Sequence, residues 1–379
     1  MNKNVYITET NCITPLGFDV KSNWIAMLDG QTGIQSLQND LLPGISYHAS
    51  VIDTNKINAS FEEIEQNTNF TRLEKMMILA LQPMILKHAI TPKTAFILST
   101  TKGNITTLQN ENNTIQSAQL SQLAKKIAHY FGFISEPIVV SNACVSGILA
   151  VAVAKRMIQT ELFDDAFIVA GDEVSEFVLS GFNSFQAMSE SPCKPYDKDR
   201  NGVSLGEATA AVYVTSDENK VSSKSVKVIG DGSINDANHI SGPSRTGEGL
   251  FRSIQSAMQE AQISADKIDY ISAHGTATLY NDEMEAIAFN RLQLENVPVN
   301  SLKGFFGHTL GASGLLETVL AIESANRNLL MTSKGFDALG VTQSINIISE
   351  NKEKQLTCFL KTASGFGGCN TAVLFEKMQ

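Results

Sequence analysis

The sequence predicts an α/β protein of two similar halves, built on a largely parallel sheet covered on both faces. Three observations carry that reading. Short apolar strand segments alternate with helical ones through most of the chain, the pattern that gives parallel strands with helices on both sides. At 379 residues the chain exceeds the size at which a single hydrophobic core usually suffices. The small-residue run from Gly311 to Ala321 also echoes the run that follows Cys144, which points to a duplicated half with such a helix at each centre.

In order, Val5 to Ile13 alternates as a first strand and stops at Pro15-Leu-Gly17. Lys21 to Leu28 is a short helix closed by Gly30. Residues 31–70 are polar and weakly patterned, and read as loops and short pieces. Thr71 to His88 places Leu73, Met76, Met77, Ala80 and Met84 on a helical period facing a core. Thr94 to Thr100 is a strand, residues 102–116 a polar loop, and Ser121 to Phe131 an amphipathic helix. That helix leads into Pro137-Ile-Val-Val140, then a tight turn holding Cys144, then a helix of small and apolar residues to Lys155. Asp165 to Gly171 is a buried strand, Cys193 to Gly202 a polar loop, and Leu205 to Val214 a strand whose small residues imply close backbone packing.

Ser216 to Ser225, polar and lysine-rich, is the junction, so the halves are expected at 1–220 and 221–379. The second half repeats the alternation, with a strand at Val226–Gly230 and a helix at Gly249–Ala261. Ile268 to Ala273 is a strand ending at His274, Asp282 to Asn290 a helix, and Val297 to Asn300 a short strand. A turn carrying Lys303 and His308 precedes the helix from Gly311 to Asn326, and Leu356–Lys361 and Thr371–Phe375 are the closing strands.

Composition excludes several classes. A net charge of −10 disfavours nucleic acid and anionic membrane surfaces as partners, since both demand concentrated basic charge. No apolar run reaches the roughly 18 residues of a membrane span, and the N-terminal segment lacks the apolar stretch of a secretory signal. The five cysteines, Cys12, Cys144, Cys193, Cys358 and Cys369, form no Cys-x-x-Cys pair and none has a histidine at zinc-site spacing. A reducing cytoplasm is the expected compartment, with neither a metal nor a disulfide framework.

Cys144 sits at a strand-to-helix junction, where a helix N-terminus of roughly +0.5 charge favours thiolate over thiol. It reads as a nucleophile or, alternatively, as a small buried hydrophobe. Three strand ends in the second half carry unusual clusters: His274-Gly-Thr-Ala-Thr278 with Asp282 and Glu285, Lys303-Gly-Phe-Phe-Gly-His308 with Glu317, and Ser364-Gly-Phe-Gly-Gly-Cys-Asn370. Ligands bind at such strand ends in open α/β sheets. Two of only six histidines fall in these turns, alongside a helix-start cysteine and a glycine-rich loop.

On the ordered set Ala143-Cys-Val-Ser-Gly147, His274-Gly-Thr276, Lys303, Gly307-His308 and Gly365-Phe-Gly-Gly368, the chain resembles the elongating β-ketoacyl-acyl-carrier-protein synthases, the two-histidine condensing enzymes of the thiolase-fold superfamily. The resemblance spans nearly the whole chain. It implies a thiolase-like α/β fold of two pseudo-duplicated halves with a layered α-β-α-β-α core. It implies decarboxylative condensation of malonyl-acyl-carrier protein with an acyl chain on Cys144, with no bound cofactor and with substrates carried on phosphopantetheine. His274 and His308 would donate to the enolate, and the backbone N–H groups of Cys144 and Phe366 would hold the oxyanion. Lys303, with acids matching Asp282, Glu285 and Glu317, would fix His308, while exposed helix charge remains an alternative for Glu285. Thr276 and Thr278 match phosphopantetheine contacts and Phe366 the acyl-pocket gatekeeper.

Thiolases need a second catalytic cysteine ahead of the glycine-rich turn, whereas Cys369 follows it; initiating synthases differ in the two-histidine set. A non-catalytic chain-length factor would lack the nucleophile. Departures from the family pattern lie at Ala208, Leu279, Cys369 and a shortened stretch between Thr101 and Ser141, and suit a specialised polyene-type pathway. Acyl carrier protein is the implied partner, with Arg72 and Lys75 as docking candidates. A homodimer is implied, and a heterodimer with a chain-length factor stays open.

Overall fold

A computed structural model describes residues 3–38, 46–66, 69–110, 114–236 and 242–378. In the first half, β1 (Tyr6–Ile13) and α1 (Val20–Leu28) are followed by β2 (Ile34–Gln38), β3 (Ser46–Ser50), α2 (Thr54–Glu62) and α3 (Arg72–Ile85). Then come β4 (Thr94–Ser99), α4 (Leu120–Phe131), β5 (Ile138–Val140), α5 (Ser146–Gln159), β6 (Asp165–Asp172), α6 (Glu176–Ser184), β7 (Leu205–Gly206) and β8 (Ala208–Thr215). The second half holds β9 (Val226–Asn235), α7 (Glu248–Ala261), β10 (Tyr270–Ser272), α8 (Leu279–Arg291), β11 (Pro298–Asn300), α9 (Lys303–Phe306) and α10 (Ser313–Arg327). It closes with β12 (Leu329–Leu330), β13 (Asn346–Ile347), β14 (Lys352–Glu353), β15 (Cys358–Gly365) and β16 (Cys369–Lys377).

Among the described residues, eleven strands form one sheet in the order β13-β11-β10-β15-β16-β9-β1-β8-β6-β4-β5. β13, β11, β10 and β15 run mutually parallel, as do β6, β4 and β5. Every neighbouring pair from β15 to β6 is antiparallel, so the sheet is mixed rather than largely parallel. The β15–β16 pair is joined by a short hairpin and so cannot run parallel, and β1 lies between β8 and β9, antiparallel to both. The order reads the same outward from the β1–β9 contact, with β8, β6, β4, β5 on one side and β16, β15, β10, β11 on the other. That is the duplicated pattern of a thiolase-like fold.

Alternation along the strands builds the layers. Ile168, Ala170, Ala210 and Val212 of the first half, with Phe359, Ala363 and Val373 of the second, turn inward onto α5 and α10. Phe96, Phe167, Val169 and Tyr213 face α3 and α4 on one outer side. Leu360, Ala372 and Leu374 face α7 and α8 on the other. The result is an α-β-α-β-α stack. The stretch read as loops at 31–70 contains β2, β3 and α2, which form a small sheet with β7 and an outer helix. The expected polar loop at Cys193–Gly202 is instead partly core, with Tyr196, Asp197 and Arg200 buried. No helix among the described residues is long and apolar enough to cross a membrane.

The central helices touch through glycine. A Cβ on Gly147 of α5 would lie 2.8 Å from both the Gly311 carbonyl oxygen and the Leu315 amide nitrogen. One on Gly314 of α10 would lie 2.8 Å from the Ile148 amide. This contact sets how near the N-terminal turn of α5, with Cys144, comes to the His308 turn. Overpacking of this kind costs roughly 1–3 kcal/mol. Gly147→Ala is therefore expected to lower the denaturant midpoint by that order; an unchanged midpoint would show that the helices can part freely.

Candidate active site

Cys144 stands in the turn between β5 and α5. The preceding Ala143 takes a left-handed φ of 44°, a strained conformation for a residue with a Cβ. Ser146 secures the turn: its hydroxyl donates to the Ala143 carbonyl at 2.6 Å and accepts from the Asn142 N–H at 2.8 Å. Burial pushes the Cys144 thiol up to about 12, with neighbouring Cys369 and Asp172 adding to it, against the pull of Lys303 and the Phe366 backbone N–H. The expectation of a resting thiolate is therefore corrected. One helix terminus does not offset full desolvation, so burial favours the thiol.

His308 is fixed by the other half of the chain. Its N–H donates to the Ser204 carbonyl at 2.6 Å, and its carbonyl accepts from Gly206 N–H at 3.0 Å, so β7 pins its backbone. The Leu310 N–H donates to Nδ1 at 3.1 Å, and the Ser313 hydroxyl lies 3.1 Å from the same atom. A ring nitrogen that accepts a backbone N–H carries no proton, so in the neutral ring the proton sits on Nε2. That Nε2 lies 3.2 Å from the Cys144 sulfur.

His274 ends β10 and is read the same way. The Lys303 ammonium, which can only donate, lies 3.4 Å from its Nδ1 and 2.5 Å from its carbonyl oxygen. Its Nε2 therefore also carries the proton. The two rings meet edge to face with centroids 5.2 Å apart. Burial and the Lys303 charge hold both imidazoles well below the usual histidine range, and the His308 ring and Lys361 lower His274 further. Two neutral N–H donors thus converge on the space above one thiol.

Lys303 is buried and paired with Glu317 at 2.6 Å. It fixes His274, not His308 as expected: the His308 ring is oriented by Leu310 and Ser313. Glu285 is fully buried, which removes the exposed-charge alternative, and accepts from the N–H groups of His274 and Gly275 at 2.8 and 2.7 Å. Asp282 accepts from Thr276 and Ala277 N–H at 2.9 and 3.2 Å and from Tyr196 N–H at 2.7 Å. Its burial beside Glu285 pushes it up to about 7.

Cys144, His274 and His308 open into a cavity of about 850 Å³ lined also by Thr276, Thr278 and Phe366. The Thr276 and Thr278 hydroxyls lie 2.9 Å apart on its wall. Phe366 tips the β15–β16 hairpin and is 41% exposed. It stacks on Phe182 with centroids 5.7 Å apart and meets the tilted ring of Phe185 at 5.5 Å.

The family models for the N-terminal and C-terminal domains of β-ketoacyl synthase match residues 2–220 and 226–337. This chain belongs to the β-ketoacyl synthase family. It is 32% identical over 256 residues to 3-oxoacyl-acyl-carrier-protein synthase 2 of Rhizobium meliloti, covering 63% of this chain and 60% of that one. The corresponding synthase of Staphylococcus aureus strain COL is 23% identical over 416 residues, covering 100% of this chain and 99% of that one. A ketosynthase solved in complex with its chain length factor from Xenorhabdus doucetiae superposes with a TM-score of 0.86 at 24% identity. That superposition covers 99% of this chain and 98% of the other, and shows the fold.

The ligand atoms of Cys144, His274 and His308 lie within 4.8 Å of one another. A resident cation, however, needs the Nε2 lone pairs, with Nδ1–H donating outward. Here both Nδ1 atoms face donors, so both Nε2 atoms keep their protons.

The docking candidates lie away from this chemistry. Arg72 is bound to Glu173 at 3.0 Å and Glu207 at 2.7 Å. Lys75 bonds Asn58 and lies 5.6 Å from the Phe61 ring centre.

Sequence reasoning missed Lys361, Asp172 and all of α6 with Phe182 and Phe185. Asp172 accepts from Thr100, Thr101 and the Gly311 N–H, tying β4 to the turn after His308. A lone lysine in an apolar strand and an acid at a strand end were the available signals.

Because both histidines stay neutral below their ordinary value of about 6.5, decarboxylation that depends on them should remain level as pH falls through that value and decline only lower. A pH–rate profile checks this; a fall centred on about 6.5 would mean that a histidine titrates normally.

Proposed function

We propose that the chain extends acyl chains by two carbons, condensing malonyl-acyl-carrier protein with an acyl group held on Cys144. The observation that carries this reading is the convergence of two Nε2–H donors from one half on the thiol of the other. The Cys144 sulfur attacks the thioester carbonyl of an incoming acyl-carrier protein. The oxyanion is held by the N–H groups of Cys144 and Phe366. The carbon–sulfur bond to phosphopantetheine breaks, and the proton of the Cys144 thiol passes to the departing thiolate. No free thiolate need accumulate, which accords with the raised value of the buried thiol.

Malonyl-carrier protein then loses CO₂. The electron pair of the breaking carbon–carbon bond passes into an enolate whose oxygen accepts from His274 and His308. The enolate carbon attacks the acyl group, a carbon–carbon bond forms, and the Cys144 thiolate leaves and takes up a proton. Neutral donors suit this step because they strengthen with developing charge and need not be regenerated. Thr276 and Thr278 would bind the phosphopantetheine arm. Phe366, between glycines and against Phe182 and Phe185, would swing to admit the acyl chain.

The halves 1–220 and 221–379 would act as two repeats, the first bringing the nucleophile and the second the histidines. The complete cysteine and histidine set favours a catalytic subunit over a chain-length factor. Its partner subunit would be a second copy or such a factor. Five free cysteines suit a reducing compartment such as the cytoplasm.

Intact-mass analysis with acyl- and malonyl-carrier proteins tests the reading. Cys144→Ala should abolish acyl-enzyme formation; acylation that persists would remove Cys144 as the nucleophile. His274→Ala and His308→Ala should each slow decarboxylation by about 10²- to 10³-fold, the loss typical of one oxyanion donor. Unchanged decarboxylation in either would release that histidine from the role.

A further inference from the structure

Lys361 lies within β15, a strand otherwise of apolar and small residues, and its side chain is fully buried. Its Nζ reaches Glu317 at 2.6 Å, the carbonyls of Ser272 and Ala273 at 3.1 Å each, and the Thr362 carbonyl at 2.8 Å. A buried ammonium is costly unless paired and fully hydrogen-bonded. Glu317 is already paired with Lys303, also at 2.6 Å. Glu317 therefore faces two ammonium groups, whose remaining contacts run to neutral carbonyls and, for Lys303, to His274 Nδ1. Three of those carbonyls belong to residues 272, 273 and 274, the consecutive backbone that delivers His274 into the site.

We propose that Lys361 is a positioning residue for condensation: it clamps the Ser272 and Ala273 carbonyls and, by sharing Glu317 with Lys303, sets a second buried ammonium behind His274 that keeps its imidazole a neutral Nε2–H donor. The proposal rests on the function read above, in which that donor meets the enolate oxygen. The charged and titratable groups around His274 come from every element packed on it. Lys303 of α9 and Lys361 of β15 stand behind the ring, with Glu317 of α10 between them. Glu285 and Asp282 of α8 are engaged with the loop amides, and Asp282 also lies 3.8 Å from Arg200. His308 and Cys144 face the reacting side. Both lysines lower the basicity of His274. Burial lowers that of Lys361 itself, against Glu317.

Two substitutions separate geometry from charge: Lys361→Gln keeps hydrogen-bond donors and loses the charge, and Lys361→Met loses both. Each is compared with wild type for Cys144 acylation by an acyl-carrier protein and for malonyl-carrier decarboxylation across pH. The expected result is acylation within about twofold of wild type, with decarboxylation kcat reduced at least about tenfold in both. KM should stay unchanged, and the acid limb should move to higher pH as His274 becomes easier to protonate. A Lys361→Gln protein with wild-type rate and acid limb overturns the proposal. A wild type that acylates but never decarboxylates overturns the function reading instead, and the proposal falls with it. Should neither variant acylate, ¹⁵N-lysine spectra of the wild type decide: an ammonium at Lys361 near pH of about 7 supports the proposal, and a neutral amine overturns it.

Discussion

The loop from His274 to Thr278 is gripped on both sides of its backbone, and the chemistry of the site depends on that grip. Two ammonium groups take the carbonyls that lead into it, and two carboxylates take the amides that follow. Such groups are expensive to bury, and removing one partner from such an arrangement typically costs about 3–5 kcal/mol. What the arrangement gives in return is a ring that cannot rotate away and cannot easily accept a proton. A donor fixed in place before charge develops needs no reorganisation when it does.

His308 reaches the same state by different means. Its Nδ1 takes a backbone amide two residues on, and its own backbone is stitched to β7 of the opposite half. Cys144 belongs to the first half, so the site exists only where the halves meet. The close approach of Gly147 to Gly311 and Leu315, and of Gly314 to Ile148, sets their spacing, and buried Lys155, bonded to Asp231 at 3.0 Å, ties α5 to β9. A duplicated fold thus contributes different chemistry from equivalent places: a thiol from the β5–α5 turn, an imidazole from the β11–α10 segment.

Much of this was readable from the chain. Strand and helix alternation located most elements, and the small-residue runs gave the central helix pair. The order of cysteine, histidines, lysine and glycine-rich loop located the site. Strand direction was not readable at the centre of the sheet, because the β15–β16 hairpin glycines look like a ligand loop and nothing in the sequence places β1 between β8 and β9. The partners of polar residues were equally hidden: nothing in the sequence tells that Lys303 serves His274, or that Arg72 is bound to Glu173 and Glu207. Helix α6 lies in a stretch with no strong period, and its role emerges only when Phe182 and Phe185 meet Phe366. The state of the thiol failed for a physical reason, since a local dipole is visible in sequence and desolvation is not.

The central claim is that two imidazoles stand as neutral Nε2–H donors over one thiol. ¹⁵N-histidine NMR of the free protein near pH of about 7 tests it most directly. The expected spectrum shows, for both His274 and His308, a protonated Nε2 and an unprotonated Nδ1. An imidazolium at either position, or a proton on either Nδ1, would contradict the account.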